Sequence, residues 1–394
     1  MSQIIQTQES KTKSSFVEFL KKECVLVIAV TLALLSSIIS MPKMSYIDFK
    51  VLILLFNLMI VVAAFKELKV LDSIAIGLLK KCNTYTSISL ALVFITFISS
   101  MIVTNDVALI TFVPLSVVIA RKANINVLKI VIFQTLAANL GSSFTPMGNP
   151  QNLFIYSFYN LSPMDFFKIT LPIVVLAILF LVFLVLKDKK MNLSLDLETV
   201  KIDNKRDVYL FSGLFLIILL SVFHIIDYKL TFLITIVMVL LLNKKLFAKV
   251  DYSLLITFVG FFIFVGNIST MDVVKNFMEG ILGSPESTFL SSVLSSQVIS
   301  NVPATMLLSG FTNHFKELLL GVNIGGMGTL IASLASVISY KIYTSEFGND
   351  NYMKSFTIYN VLGLIIFVPI VYIFILIYNF KSLFYRIYII NSFL

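Results

Sequence analysis

Apolar residues run through this chain in blocks of about 20, the length that carries a helix across a hydrocarbon core. They predict full crossings near 24–40, 46–65, 126–158, 165–187, 207–226, 229–243, 251–268, 318–342 and 356–378. Two further apolar stretches, 83–120 and 287–315, each carry a polar centre: Val-Thr-Asn-Asp at 103–106 and Ile-Ser-Asn-Val-Pro at 299–303. Each reads as two spans joined by a loop or as a re-entrant hairpin whose tip stops at mid-membrane. The polar tips argue for re-entry.

The crossing at 126–158 is interrupted. Between Asn139 and Leu153 it reads Asn-Leu-Gly-Ser-Ser-Phe-Thr-Pro-Met-Gly-Asn-Pro-Gln-Asn-Leu. Gly141 and Gly148 permit dihedrals closed to other residues, and Pro146 and Pro150 remove donors and push the preceding residue out of the helical region. No water satisfies broken backbone in a bilayer core, so such chain persists only where protein buries it or where it lines a cavity. The freed carbonyls and the side chains of Ser142, Ser143, Thr145, Asn149 and Asn152 therefore make a binding-site candidate. The bland alternative is a surface loop with Asn149-Pro150 as its turn.

The polar positions also repeat. Ser99-Ser100-Met-Ile-Val-Thr104-Asn105-Asp106 aligns with Ser295-Ser296-Gln-Val-Ile-Ser300-Asn301-Val302, Asp48-Phe-Lys-Val-Leu-Ile with Asp251-Tyr-Ser-Leu-Leu-Ile, and the Gly-rich break recurs at 321–329. The expected fold is an all-α polytopic membrane protein of two inverted repeats, each with a re-entrant helical hairpin and a broken transmembrane helix. Residues 1–23 form an N-terminal segment and 24–187 the first repeat, with hairpin 83–120 and broken helix 126–158. A loop and connecting helix at 188–228 lead to the second repeat at 229–378, with hairpin 287–315 and broken helix 318–342. A tail at 379–394 reads as interfacial. The odd connecting crossing inverts the second half, and inverted repeats with broken helices at the midplane are the build of secondary transporters.

Composition agrees. Of 394 residues, 58% are hydrophobic and 13% charged, and the mean hydropathy is +0.97. The net charge of +9 does not point to nucleic acid, because Lys and Arg sit in short loops rather than in one patch. With a cytoplasmic N-terminus, 22 basic residues fall inside and 8 outside, the bias expected of a multi-pass protein of the plasma (inner) membrane. The apolar run from Cys24 to Ser40 is longer than a usual signal core and reads as a retained span. Cys24 and Cys82 fit neither a metal spacing nor a disulfide framework.

Asp106 is the only acid between Asn83 and Ala120. An ionisable group at mid-membrane is costly and by default functional, as a proton carrier or cation ligand. Desolvation favours the neutral acid and a bound cation favours the carboxylate, which is the exchange a cation-coupled carrier needs. The competing role is to cap the second helix of the hairpin. Hard oxygens at Thr104, Asn105, Asp106 and Asn149 suit Na⁺ or a proton-linked oxyanion. His224 and His314 read as interfacial. No metalloprotease, hydrolase or nucleotide-binding motif occurs, so no enzyme and no resident cofactor is expected. An ion channel is the rival of another class.

Thr104-Asn105-Asp106 with Pro114, Gly148-Asn149-Pro150-Gln151-Asn152, Ser300-Asn301-Val-Pro303-Ala304 and the Gly-rich 321–329 segment together resemble the ion transporter superfamily, which includes arsenite permeases, sodium/proton antiporters, citrate transporter-like proteins and divalent-anion/sodium symporters. The resemblance implies a secondary active transporter of a small anion or metalloid oxyacid coupled to H⁺ or Na⁺ by alternating access. In the symporter branch both tips read Ser-Asn-Thr and help to bind sodium and carboxylates. Here the tips lack the final Thr and the first gains Asp106, which looks more like the arsenite permease branch, with a Na⁺-coupled di- or tricarboxylate symporter as the alternative. Asn105, Asp106, Asn149, Asn152, Asn301 and Thr329 match motif positions. Thr104, Asn139, Ser143, Thr145, Ser300, Asn323 and Gly328 stand behind them. Two hairpins and two broken spans would move against a scaffold of the remaining helices, whose outer face could support a homodimer.

Overall fold

The computed structural model describes residues 23–188, 191–193, 197–202 and 204–392, with α17 side chains to Ile377. The 1–23 segment, Glu23 apart, and the side chains of Tyr385, Arg386 and Tyr388 lie outside the described residues. The described chain is almost wholly helical, with one isolated β-bridge between Thr84 and Asn192.

The first half runs α1 (Cys24–Ile39), α2 (Phe49–Glu67), α3 (Val70–Leu79), α4 (Tyr85–Val103), α5 (Asn105–Ala123), α6 (Leu128–Ser142), α7 (Pro150–Phe158) and α8 (Pro163–Leu186). After α9 (Lys205–Val222) the second half runs α10 (Tyr228–Leu242), α11 (Tyr252–Ile268), α12 (Asp272–Ile281), α13 (Pro285–Ile299), α14 (Asn301–Ser309), α15 (Phe315–Ile324), α16 (Leu334–Phe347) and α17 (Tyr352–Ser392). Among the described residues, four helices are long and apolar enough to cross a membrane: α2, α4, α8 and Tyr352–Ile377 of α17. The pair α11 and α12, bent by 103°, adds a fifth if counted as one span. The hydrophobic pattern misses α3 and α12, because both are 10-residue helices, too short for a bilayer-length window. Helix α17 continues past 378 without a break.

Helix starts repeat between the halves. Asp48 accepts the Val51 N–H at 3.1 Å ahead of α2, and Asp251 accepts the Leu254 N–H at 3.0 Å ahead of α11. Thr84 with Ser87 and Ser284 with Ser287 form reciprocal caps on α4 and α13, each satisfying donors that an uncapped helix leaves open. Both hairpins reverse at one residue: Thr104 has φ 79° and ψ 153°, Ser300 φ 72° and ψ 153°. Such dihedrals are close to glycine-only territory and persist only where surrounding structure over-determines them. Two side-chain-bearing residues at the two tips share this conformation.

Packing crosses between the halves. Helix α4 lies along α6, and α13 along α15, while α5 packs on α16 and α14 on α7. One apolar core gathers around α2, α7, α9 and α11, and a second around α4, α6, α8, α15 and α17. Outward residues such as Leu233, Val237 and Leu241 of α10 are exposed and suit lipid.

At the breaks the helices approach closely. A Cβ added at Gly141 would meet Phe97 O and lie 2.6 Å from Ser100 Oγ, and one at Gly325 would lie 2.7 Å from Ser296 Cβ. Gly141→Ala and Gly325→Ala should each cost about 1–3 kcal/mol through forced displacement, whereas Gly213→Ala, with nothing within 4 Å, should be neutral or mildly stabilising. Circular-dichroism melts in detergent check this ordering, and equal melting temperatures for all three would refute the close-approach account.

Candidate functional site

The site forms where the two tips meet the two breaks. The Asn105 N–H donates to Gly148 O at 3.1 Å, so the first tip is hydrogen-bonded into the first break. Asn105 Nδ2 donates to Asn139 Oδ1 at 3.3 Å, and Asn105 Oδ1 accepts the Asp106 N–H at 3.0 Å.

Two asparagines at the ends of the first half-helices, Asn139 on α6 and Asn323 on α15, then reach across the pseudo-repeat. Asn323 Nδ2 donates to Asn152 Oδ1 at 2.7 Å, and Asn323 Oδ1 accepts from Asn149 Nδ2 at 3.1 Å. Asn139 Oδ1 accepts from Ser333 Oγ at 3.0 Å, and its Nδ2 donates to Ser336 Oγ and Gly326 O, both at 3.3 Å. Asn139 and Asn323, Asn149 and Ser333, and Asn152 and Ser336 are each 184 positions apart. Each half's asparagine thus grips the start of the other half's second half-helix. All six are buried, where every polar atom left unpaired is costly.

The remaining polar side chains anchor the breaks. Asn152 Nδ2 donates to the carbonyls of Ser142, Ser143 and Thr145 at 3.1–3.2 Å, holding the unwound turn together. Thr145 Oγ1 donates to Met101 O, and Thr329 Oγ1 donates to Gln297 O at 2.9 Å, the same contact in the two halves. Gln297 Nε2 also donates to Gly325 O and Met327 O at 2.7 and 3.0 Å, while its Oε1 accepts the Thr329 N–H at 2.9 Å. Gly328 beside it has φ +107°, a conformation that side chains resist. Ser143 Oγ donates to Leu140 O in its own helix.

A cavity of about 750 Å³ opens on this assembly. Of the sequence candidates, Thr104, Asp106 and Asn149 line it. Asn105, Asn152, Asn301 and Asn323 are buried behind that surface, and Ser300 Oγ is buried without a hydrogen-bond partner. Ser143, Thr145, Gly328 and Thr329 serve the anchoring described above. The Asp106 carboxylate makes no hydrogen bond or ion pair among the described residues, and the Thr104 position has no side-chain cap. Asp106 therefore does not cap α5, although its place in the first turn suits the positive end of that helix.

Three contributors lay outside the sequence-level set: Gln297, Ser333 and Ser336; Ser142, a candidate from the sequence, accepts through its Oγ from Asn149 Nδ2 at 3.1 Å. A repeat offset of 184 in the broken helices, beside 196 in the hairpins, would have paired Ser333 with Asn149 and Ser336 with Asn152. The offset changes because the second hairpin helix is longer in the first half, 19 residues in α5 against 9 in α14.

Asn323→Ala leaves two buried amides short of a partner and should cost about 1–3 kcal/mol. A double-mutant cycle with Asn152→Ala, read by thermal melts, should give a coupling of at least about 0.5 kcal/mol, and strict additivity would dissolve the proposed grip.

A family model described as citrate transporter matches residues 16–313. An uncharacterised transporter of Methanocaldococcus jannaschii is 34% identical over 319 residues, covering 80% of this chain and 87% of that protein. The inner membrane protein YbiR of Escherichia coli is 29% identical over 307 residues, covering 75% and 80%. A Dictyostelium discoideum protein bearing the transporter name arsB is 28% identical over 127 residues, covering 32% of this chain and 23% of that protein. By the share of its length that the family model spans, this all-helical membrane chain belongs to the citrate transporter family.

Proposed function

We propose that the protein is a secondary active transporter of a small anion or oxyacid, coupled to H⁺ or Na⁺ by alternating access, with Asp106 as the coupling group. The partnerless carboxylate of Asp106, half-buried at the hairpin tip and facing the cavity beside Thr104 and Asn149, carries the reading. A carboxylate that protein groups neither neutralise nor hydrogen-bond, in a low-dielectric setting, binds a proton or a cation when one is available. The oxygens of Thr104 and Asn149 are hard donors suited to Na⁺.

The matching tips, caps and crossed asparagine grips support two inverted repeats, the build in which a central site is exposed alternately to either face. Because α8 and α17 share an apolar core with α4, α6 and α15, the moving unit in this reading includes α8 and α17 along with the hairpins and broken helices. The cavity runs from the tip to the end of the bundle that carries Lys66, Lys245 and Lys249. The bias of basic residues supports a cytoplasmic place for that end, and in this reading the conformation faces inward.

A second reading, Na⁺-coupled carboxylate symport, draws on the description of the matching family. Uptake into proteoliposomes under an imposed pH gradient and, separately, an imposed Na⁺ gradient separates the two, with arsenite, citrate and succinate as cargoes. Flux driven by the proton gradient and lost in Asp106→Asn is the expected result. Flux driven by Na⁺ alone and retained in Asp106→Asn would remove Asp106 from coupling.

A further inference from the structure

The cavity has a composition that a metalloid oxyacid does not need. One wall is a stripe of α2, Leu55, Leu58, Met59 and Val62, which covers about 10 Å along the axis at ~1.5 Å per residue. The facing wall holds Val107 and Ile110 of α5 with Met147 and Leu153 from the break. The same α2 stripe ends in Lys66, one turn beyond Val62, and Lys245 and Lys249 join it at the mouth.

The charges at this mouth are unequal in freedom. Among the described residues, no ion pair engages Lys66, Lys245 or Lys249. The two acids beside them keep their charge while hydrogen-bonded: Glu67 Oε1 accepts from Asn243 Nδ2 at 3.0 Å, and Asp251 accepts the Leu254 N–H at the start of α11, so three lysines stand with two carboxylates at the mouth. The third lining acid, Asp106, stands at the hairpin tip. The slot thus carries an excess of one positive charge at its mouth, is apolar along its length, and is polar with one carboxylate at its inner end.

Resting on the transporter reading, we infer that the cargo is an organic anion with an apolar segment, whose acid group meets Lys66, Lys245 and Lys249 while its body lies against α2 and α5. A neutral, compact oxyacid would leave the apolar walls wetted and the excess positive charge of the mouth without a counter-charge. Burial of methylenes against Leu58, Met59 and Ile110 is the main source of affinity, and the lysines select for negative charge and speed entry. A second acid group could reach the inner end only with a proton or cation on Asp106.

Calorimetric titration of the protein in nanodiscs with succinate, adipate and suberate, and with citrate and arsenite, tests this without needing transport. Affinity should rise about threefold per added methylene, and suberate should bind more tightly than citrate or arsenite. The triple variant Lys66→Gln, Lys245→Gln, Lys249→Gln should weaken suberate binding about tenfold and flatten its salt dependence. The pair Met59→Ser and Ile110→Ser, at half-buried lining positions, should flatten the chain-length series while leaving the lysine effect. Affinity that is flat along the series, arsenite or citrate binding as tightly as suberate, or a triple variant like wild type would each overturn the inference. Chain-length-dependent binding without gradient-driven uptake of suberate would sustain the cargo class and defeat the transporter reading. Gradient-driven arsenite uptake with no suberate binding would do the reverse.

Discussion

Interrupting a helix inside an apolar bundle leaves backbone groups that only protein can satisfy, and the architecture of this chain follows from how that debt is met. Asn152 closes the first unwound turn by donating to three carbonyls, and Gln297 does comparable work for the second through Gly325 O and Met327 O. Both sets of contacts stay within one half, and the halves are tied to each other by a separate set of side-chain bonds. These are the crossed grips of Asn139 on Gly326 O, Ser333 and Ser336 and of Asn323 on Asn149 and Asn152.

This mutual satisfaction gives the centre its functional contrast. Amide groups around the breaks are nearly all committed to one another, so they fix geometry and leave little capacity for a ligand. Asp106 is the exception: it sits at the same junction yet has no partner, and it faces the cavity. The two halves are alike in backbone but not in charge, since Val302 stands where the first tip has Asp106. A symmetric frame with one titratable group can couple a single ionic event to a motion of the whole unit, because the frame itself has no competing charge to reorganise.

Strain is located at the same place. Thr104 and Ser300 hold nearly equal, unfavourable dihedrals, and each is followed directly by an asparagine that is buried against the break of its own half. The tips are therefore held by their neighbours rather than by their own backbone preference. A change in what occupies the cavity acts on elements that are already poised, which is the physical sense in which such a centre can switch.

Sequence alone determined the class: bilayer-length apolar blocks, Pro and Gly at the breaks, and polar tips at 104–106 and 300–301 define a polytopic transporter-like chain, since hydropathy and broken-backbone penalties act locally. It also marked Asp106, because an acid in an apolar stretch stands out without any structure. Which polar residues face the cavity and which merely anchor it was settled by tertiary packing: Thr329 and Thr145 matched a pattern but turned to bond the hairpin ends, and Ser333, Ser336 and Gln297 carried no local signal. Nor could spacing reveal that Lys66, Lys245 and Lys249, drawn from two segments, share one cavity mouth. Local chemistry fixes where a helix breaks, but the side chains that lock the two breaks to each other lie almost half a chain apart, and only the folded arrangement brings them together.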